Sequence, residues 1–139
     1  DVITYPATGE LYSWGTGYYG VSGLGDEHPN FLPKKIEALS GRKIAFINGG
    51  NFHAAIITGG KDRLLPTPHT SPSSLAHSLS HQIDEGALYI WGRNSKGQLG
   101  LGGGGNKKTP QLLDAFGGLK VTAVVCGDLH TLCVTGNHE

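Results

Sequence analysis

Leu88-Tyr89-Ile90-Trp91-Gly92-Arg93-Asn94-Ser95-Lys96-Gly97-Gln98-Leu99-Gly100-Leu101-Gly102 decides the fold, because a looser copy of it stands 77 residues earlier. That copy is Leu11-Tyr12-Ser13-Trp14-Gly15, followed by Gly20, Gly23, Leu24 and Gly25. The offset holds without a gap through Gly9/Gly86, Pro33/Pro110, Gly41/Gly118, Gly50/Gly127, His53/His130 and Thr58/Thr135. One unit of about 50 residues is therefore used twice, which is the signature of a repeat array.

Composition agrees with an array built on turns. Of 139 residues 23 are glycine, none is methionine and 37% are apolar, too glycine-rich and too poor in apolar residues for a helical globule. Eleven basic and eleven acidic side chains cancel, so there is no general pull toward nucleic acid or an anionic membrane, and neither is expected as a partner. No apolar run approaches the roughly 18 residues of a membrane span, and a cytoplasmic or nuclear location is expected. Cys126 and Cys133 have Gly49 and Ile56 as repeat partners, so a metal or disulfide role would not repeat; small buried strand residues are expected.

Four strands are predicted in each unit. In the first they fall at Leu11 to Gly15, Lys34 to Leu39 (after Pro33), Arg42 to Asn48 and His53 to Thr58; in the second at Leu88 to Gly92, Gln111 to Phe116, Lys120 to Val125 and His130 to Thr135. With no 3.6-residue apolar period in either unit, the reading is all-β: two consecutive four-stranded antiparallel blades of a partial propeller. The organisation is then residues 1–8, the end strand of a preceding repeat; 9–60, the first repeat or blade; 61–85, a flexible Ser/Pro-rich spacer; and 86–139, the second repeat or blade. Val2-Ile3-Thr4 has the form of Ile56-Ile57-Thr58, and a further Leu-Tyr-x-Trp-Gly strand is due after Thr135, so a piece of a longer repeat protein is expected.

Several patterns invite chemistry. Gly15-Thr16-Gly17-Tyr18-Tyr19-Gly20 satisfies G-x-G-x-x-G after a strand, yet its partner Gly92-Arg93-Asn94-Ser95-Lys96-Gly97 reads as the same left-handed turn with Asn94 in place of Gly17, and no amphipathic helix follows either. Asn51-Phe52-His53 and Asp128-Leu129-His130 lack an equivalent nucleophile, so His53 and His130 read as buried posts whose ring nitrogens tie loop backbone groups together. His69, His77 and His81 have no common metal spacing, while Thr67-Pro68 and Ser71-Pro72 are proline-directed modification dipeptides. No cofactor, metal or catalytic residue is expected, and no turnover of its own.

The unit, Leu-Tyr-x-Trp-Gly-x-Asn-x-x-Gly-Gln-Leu-Gly-Leu-Gly, then Pro, an apolar strand, and Gly-Asp-x-His before a strand ending in Thr, resembles the repeat of the regulator of chromosome condensation family. The resemblance covers residues 9–60 and 86–136; the first copy departs from it at Gly17, Tyr18, Tyr19, Val21 and Ser22, all in one loop. It implies a propeller, typically of seven blades, whose remaining blades come from a longer chain or from self-association. It also implies a binding platform. A protein-interaction scaffold or adaptor is the first expectation. The alternative is a guanine-nucleotide exchange factor for a small Ran-like GTPase, associated with chromatin, with Asp128 at the acid position that faces the GTPase and Asn51 departing from it. The blade-strand residues Trp14 and Trp91 do not make the tryptophan cluster of the family's plant light receptor. Loops on a rigid β scaffold carry the contacts, so Tyr18, Tyr19, Arg93, Lys96 and Asp128 are the candidate protein-binding residues.

Overall fold

A computed structural model describes residues 9–59 and 86–136. The end strand read into residues 1–8 and the spacer at 61–85, with its histidines and Ser/Thr-Pro dipeptides, lie outside the described residues. Eight strands follow in order: β1 Tyr12–Gly15, β2 Asn30–Lys35, β3 Ile44–Gly49, β4 His53–Thr58, β5 Leu88–Gly92, β6 Lys107–Leu113, β7 Lys120–Cys126 and β8 Thr131–Gly136. Two 3-10 turns, Tyr18–Gly20 and Glu37–Leu39, are the only helical segments among the described residues.

All pairing is antiparallel, but sheets and repeats are half a unit out of phase. The four-stranded sheet has the order β3-β4-β5-β6, so it joins the last two strands of the first repeat to the first two of the second. The seam is regular, from His53 opposite Gly92 to Ile57 opposite Leu88. β1-β2 and β7-β8 form two-stranded sheets on either side. A blade is thus a permuted repeat: the central one spans residues 44–113 and crosses the boundary at which the sequence units are divided.

Phase explains the core. β4 and β5 lie mid-sheet with both faces covered, and every residue of each is buried, so His53-Ala54-Ala55-Ile56-Ile57-Thr58 runs apolar where a half-solvated strand would alternate. Ala54, Ile56, Tyr89 and Trp91 face one side, where they meet Leu11, Ile36, Leu39 and Ile44. Ala55, Ile57, Leu88 and Ile90 face the other and meet Leu99, Val121, Val124 and Cys126. Side chains alternate across a strand, so one sheet supplies both inter-blade cores. Each large apolar side chain buried there contributes about 1.5–3 kcal/mol.

The outer strands begin earlier than the prolines suggest. β2 starts at Asn30 and β6 at Lys107, so Pro33 and Pro110 lie inside their strands. Both are edge strands, where the missing N–H lies on the unpaired side and no ladder bond is lost. The stretch after Lys35 curls into the 3-10 turn that buries Leu39 instead of continuing as strand.

Backbone conformation repeats where side chains do not. Gly9/Gly86, Gly15/Gly92, Gly20/Gly97, Gly23/Gly100, Gly25/Gly102 and Gly41/Gly118 all have positive φ in both copies. Gly17 does not: its φ is −104°, and Asn94 is not among the positive-φ residues either. The left-handed reading of that pair is therefore corrected. Gly17 is glycine for want of room, since a Cβ there would sit 2.3 Å from the His28 carbonyl oxygen.

Candidate functional site

One end of the blades carries three loops that meet: the 3-10 turn after β1, the β3-β4 turn, and the segment leaving β5. Gly92, at φ +110°, lets the chain pass so close to the β3-β4 turn that a Cβ would lie 2.5 Å from the Phe52 carbonyl oxygen. The Arg93 amide then donates to that oxygen at 2.8 Å, which sets Arg93 beside Phe52. From the other side comes Tyr19, the one non-glycine residue at positive φ among those described, at 59°. Holding a tyrosine there costs about 1 kcal/mol or more.

These three residues form a cluster. The Arg93 guanidinium lies 4.7 Å from the Tyr19 ring centroid and 5.3 Å from that of Phe52. The rings meet edge to face at 5.5 Å, an arrangement aromatic pairs favour. Arg93 Nε donates to Ser95 Oγ at 2.9 Å. Tyr18, 68% exposed, flanks the cluster, and Tyr19 itself keeps 37% of its surface in solvent.

The remaining candidates sit apart from this contact. Lys96 is exposed in the turn after Arg93; its amide donates to Gln98 Oε1 at 2.9 Å. Asp128 is exposed at the β7-β8 turn and accepts a hydrogen bond from Asn51 Nδ2 at 2.5 Å. Asn51 and Asp128 are the same position of the two repeats, so neighbouring corners touch through equivalent residues. Phe52 is the participant that sequence reasoning passed over. Its signal was present: Phe52 and its partner Leu129 put a large apolar residue into an otherwise polar corner in both copies.

The structural positions diverge between copies. Trp91 is buried and donates from Nε1 to the Val21 carbonyl at 2.9 Å, closing the inter-blade contact, whereas Trp14, on the matching strand, is half-buried. His53 is fully buried and its Nε2 lies 2.8 Å from Thr131 Oγ1. Thr131 Oγ1 donates to the Gln98 carbonyl at 2.6 Å, so its only proton is used and His53 Nε2 must be the donor. This differs from a post tying loop backbone. One nitrogen reaches a side chain of the next repeat, and Nδ1 has no partner among the described residues. Burial, then the charge of His130, holds the imidazole below the usual histidine range, while Asp128 opposes this. His130 is exposed.

Neither cysteine is in a disulfide; Cys126 is buried and Cys133 half-buried. Burial pushes the Cys126 thiol up to about 11, which leaves almost no thiolate near neutrality. Among the described residues no three His, Cys, Asp or Glu side chains converge on a metal-sized site, and no helix is long and apolar enough to cross a membrane. What the site offers is a partly exposed, cationic, aromatic surface carried on turns.

The profile of the regulator of chromosome condensation (RCC1) repeat matches residues 8–57 and 85–134, two copies at the spacing seen in the sequence. The chain belongs to the RCC1 repeat family. Human E3 ubiquitin-protein ligase HERC2 is 37% identical over 143 residues, covering 99% of this chain and 2% of the ligase. The ultraviolet-B receptor UVR8 of Arabidopsis thaliana is 34% identical over 134 residues, 96% of this chain and 25% of the receptor. Two solved structures share the fold: human WBSCR16, with a TM-score of 0.71 at 21% identity over 96% of this chain and 28% of that one, and Prp20p from Saccharomyces cerevisiae, at 0.68 and 16% over 99% and 29%. The latter was described together with its binding to Gsp1p and histones. The chain therefore spans a small part of each of these four proteins.

Proposed function

We propose that these repeats form a protein-interaction scaffold or adaptor module that binds a partner through the Tyr19-Phe52-Arg93 cluster, without chemical turnover of its own. One observation carries this reading. The positions equivalent to Arg93, Tyr19 and Phe52 in their partner repeats hold Thr16, Lys96 and Leu129. The repeat pattern therefore does not call for these residue types, yet the chain holds a tyrosine at positive φ to complete the cluster. Arginine and tyrosine on a rigid, partly exposed surface are the side chains that most often dominate interface energy. Tyr18, Lys96 and Asp128 stand at the rim.

A second reading has its own support. Asp128 is exposed at the acid position of the Gly-Asp-x-His corner, and Prp20p, of the same fold, was described with its binding to Gsp1p. On that reading the module promotes nucleotide exchange on a small Ran-like GTPase.

Affinity capture with quantitative identification separates these. Wild-type protein and an Arg93→Ala/Tyr19→Ala variant of unchanged melting temperature are compared as bait. The scaffold reading expects a partner enriched by the wild type and weakened by about 1–2 kcal/mol, roughly five- to thirtyfold, in the variant; equal recovery of every partner refutes it. Nucleotide release from a panel of small GTPases tests the second reading, which requires acceleration by the wild type and loss of it in Asp128→Asn.

A further inference from the structure

We infer that Arg93 is a receptor for a carboxylate, so that the partner presents an acidic segment to this face; the inference rests on the binding surface proposed above. Arg93 is held on three sides. Tyr19 and Phe52 stack against the guanidinium at 4.7 and 5.3 Å, and Nε is engaged by Ser95 Oγ. What remains is the edge bearing the two terminal amino groups, whose fork geometry matches the two oxygens of a carboxylate. Among the described residues no acid pairs with Arg93. Of the acids on the same loops, Asp26 accepts from the His28 amide at 3.1 Å and Asp128 from Asn51.

Three lysines lie on the elements that carry the cluster. Lys107 pairs with Gly92 across the sheet and so stands next to Arg93. The turn carrying Tyr18 and Tyr19 packs on β6, where a Cβ on Gly20 would meet Lys108 Cα at 2.6 Å. Lys96 follows three residues after Arg93 and is exposed. Arg93, Lys96, Lys107 and Lys108 thus lie on the turns and strand next to the aromatic residues, although the whole chain is neutral. A single stacked guanidinium, with lysines only at the rim, suits a monoanionic side chain flanked by an apolar residue that can lie on Tyr18. A doubly charged phosphate calls for several converging cations. Stacking keeps the fork oriented before binding, so little rotamer freedom is left to lose.

The probe is a random library of twelve-residue peptides selected on the full chain and sequenced, with Arg93→Lys as the comparison. Lysine keeps the charge and loses the fork, and circular dichroism with thermal melting verifies that the variant is folded. The expected result is a pool enriched in Asp or Glu at one position. Its members lose about tenfold in affinity when that acid becomes Asn or Gln, or when Arg93 becomes Lys, the loss expected for a charge-assisted pair. A pool without acidic enrichment, or one retained equally by Arg93→Lys, overturns the inference, as does enrichment of phosphoserine peptides over glutamate ones when both are supplied. A neutral pool whose binding still disappears in Tyr19→Ala would overturn the carboxylate while leaving the binding surface standing.

Discussion

The loop after β1 and the loop after β5 share their glycine turns and differ in what lies between them, and each is a control for the other. Positive φ recurs at Gly15/Gly92, Gly20/Gly97, Gly23/Gly100 and Gly25/Gly102. Between those fixed points the second loop is stitched from within: Asn94 is buried, donates from Nδ2 to the Gly103 carbonyl at 2.6 Å, accepts from the Leu99 amide at 3.1 Å, and its own amide donates to Asn106 Oδ1 at 2.9 Å. The first loop has Gly17 there and is held by close packing on the His28 carbonyl. Glycine positions therefore set the path, and the residues between them are free to serve either the loop or a partner. In the first loop they place Tyr19 against Arg93.

The strongest way to break this comparison is at a shared glycine. Gly92→Ala would bring a Cβ to 2.5 Å from the Phe52 carbonyl oxygen and 2.7 Å from His53 Cα at a φ of +110°. It should lower unfolding free energy by about 2–4 kcal/mol in urea titration. Gly103→Ala, with nothing within 4 Å, should be nearly neutral. Equal effects at the two would mean that the turns do not set the path.

A smaller loss should follow at the residue the loops do not share. Asn94→Ala removes two side-chain bonds and strands the buried Leu99 amide, so about 1–3 kcal/mol is expected by the same titration. Gly17→Asn should be no remedy for the first loop, since its Cβ has no room. A neutral Asn94→Ala would show that the second loop, too, is held by packing alone.

The smallest effect is a pH slope at the inter-repeat histidine. His53 is held below its usual range by burial and by His130, so the unfolded chain takes up the proton first. Its stabilising contribution is complete above the ordinary histidine value and is lost as pH falls through that value toward the folded one. Melting temperature should decline from pH 7.5 to 5.5, and His53→Gln, which can still donate to Thr131, should decline less. An identical slope in both proteins would place the titration elsewhere.

Much of this was legible in the residues. The 77-residue offset fixed which glycines and tryptophans correspond, and the short strands between glycine turns gave the all-β propeller class. The phase of the sheets was not legible, because the seam between β4 and β5 pairs strands on either side of the unshared segment, and a repeat can be divided at any point of its period. Pro33 misled for a related reason: proline marks a strand start only when the strand is internal, and edge position is a property of the sheet. Among the candidate residues, Tyr19 and Arg93 meet and Phe52 joins them, since contacts between loops separated by more than 30 residues depend on blade packing that no local pattern encodes. His53 was readable as buried. Its partner, Thr131, belongs to the next repeat and has Ala54 as its counterpart, so comparison of the two units pointed away from it.

The central claim is that the Tyr19-Phe52-Arg93 cluster serves binding and the blade does not need it. The direct test exchanges each residue for the one its own repeat partner carries, Tyr19→Lys, Phe52→Leu and Arg93→Thr, and measures the affinity of this triple variant for the partner captured by the wild type, beside its melting temperature. The account predicts a melting temperature within a few degrees of wild type, about what a change near 1 kcal/mol produces, and a dissociation constant raised at least about tenfold. Unchanged affinity in a folded variant would contradict it, and so would a variant that no longer folds, because the cluster would then belong to the blade.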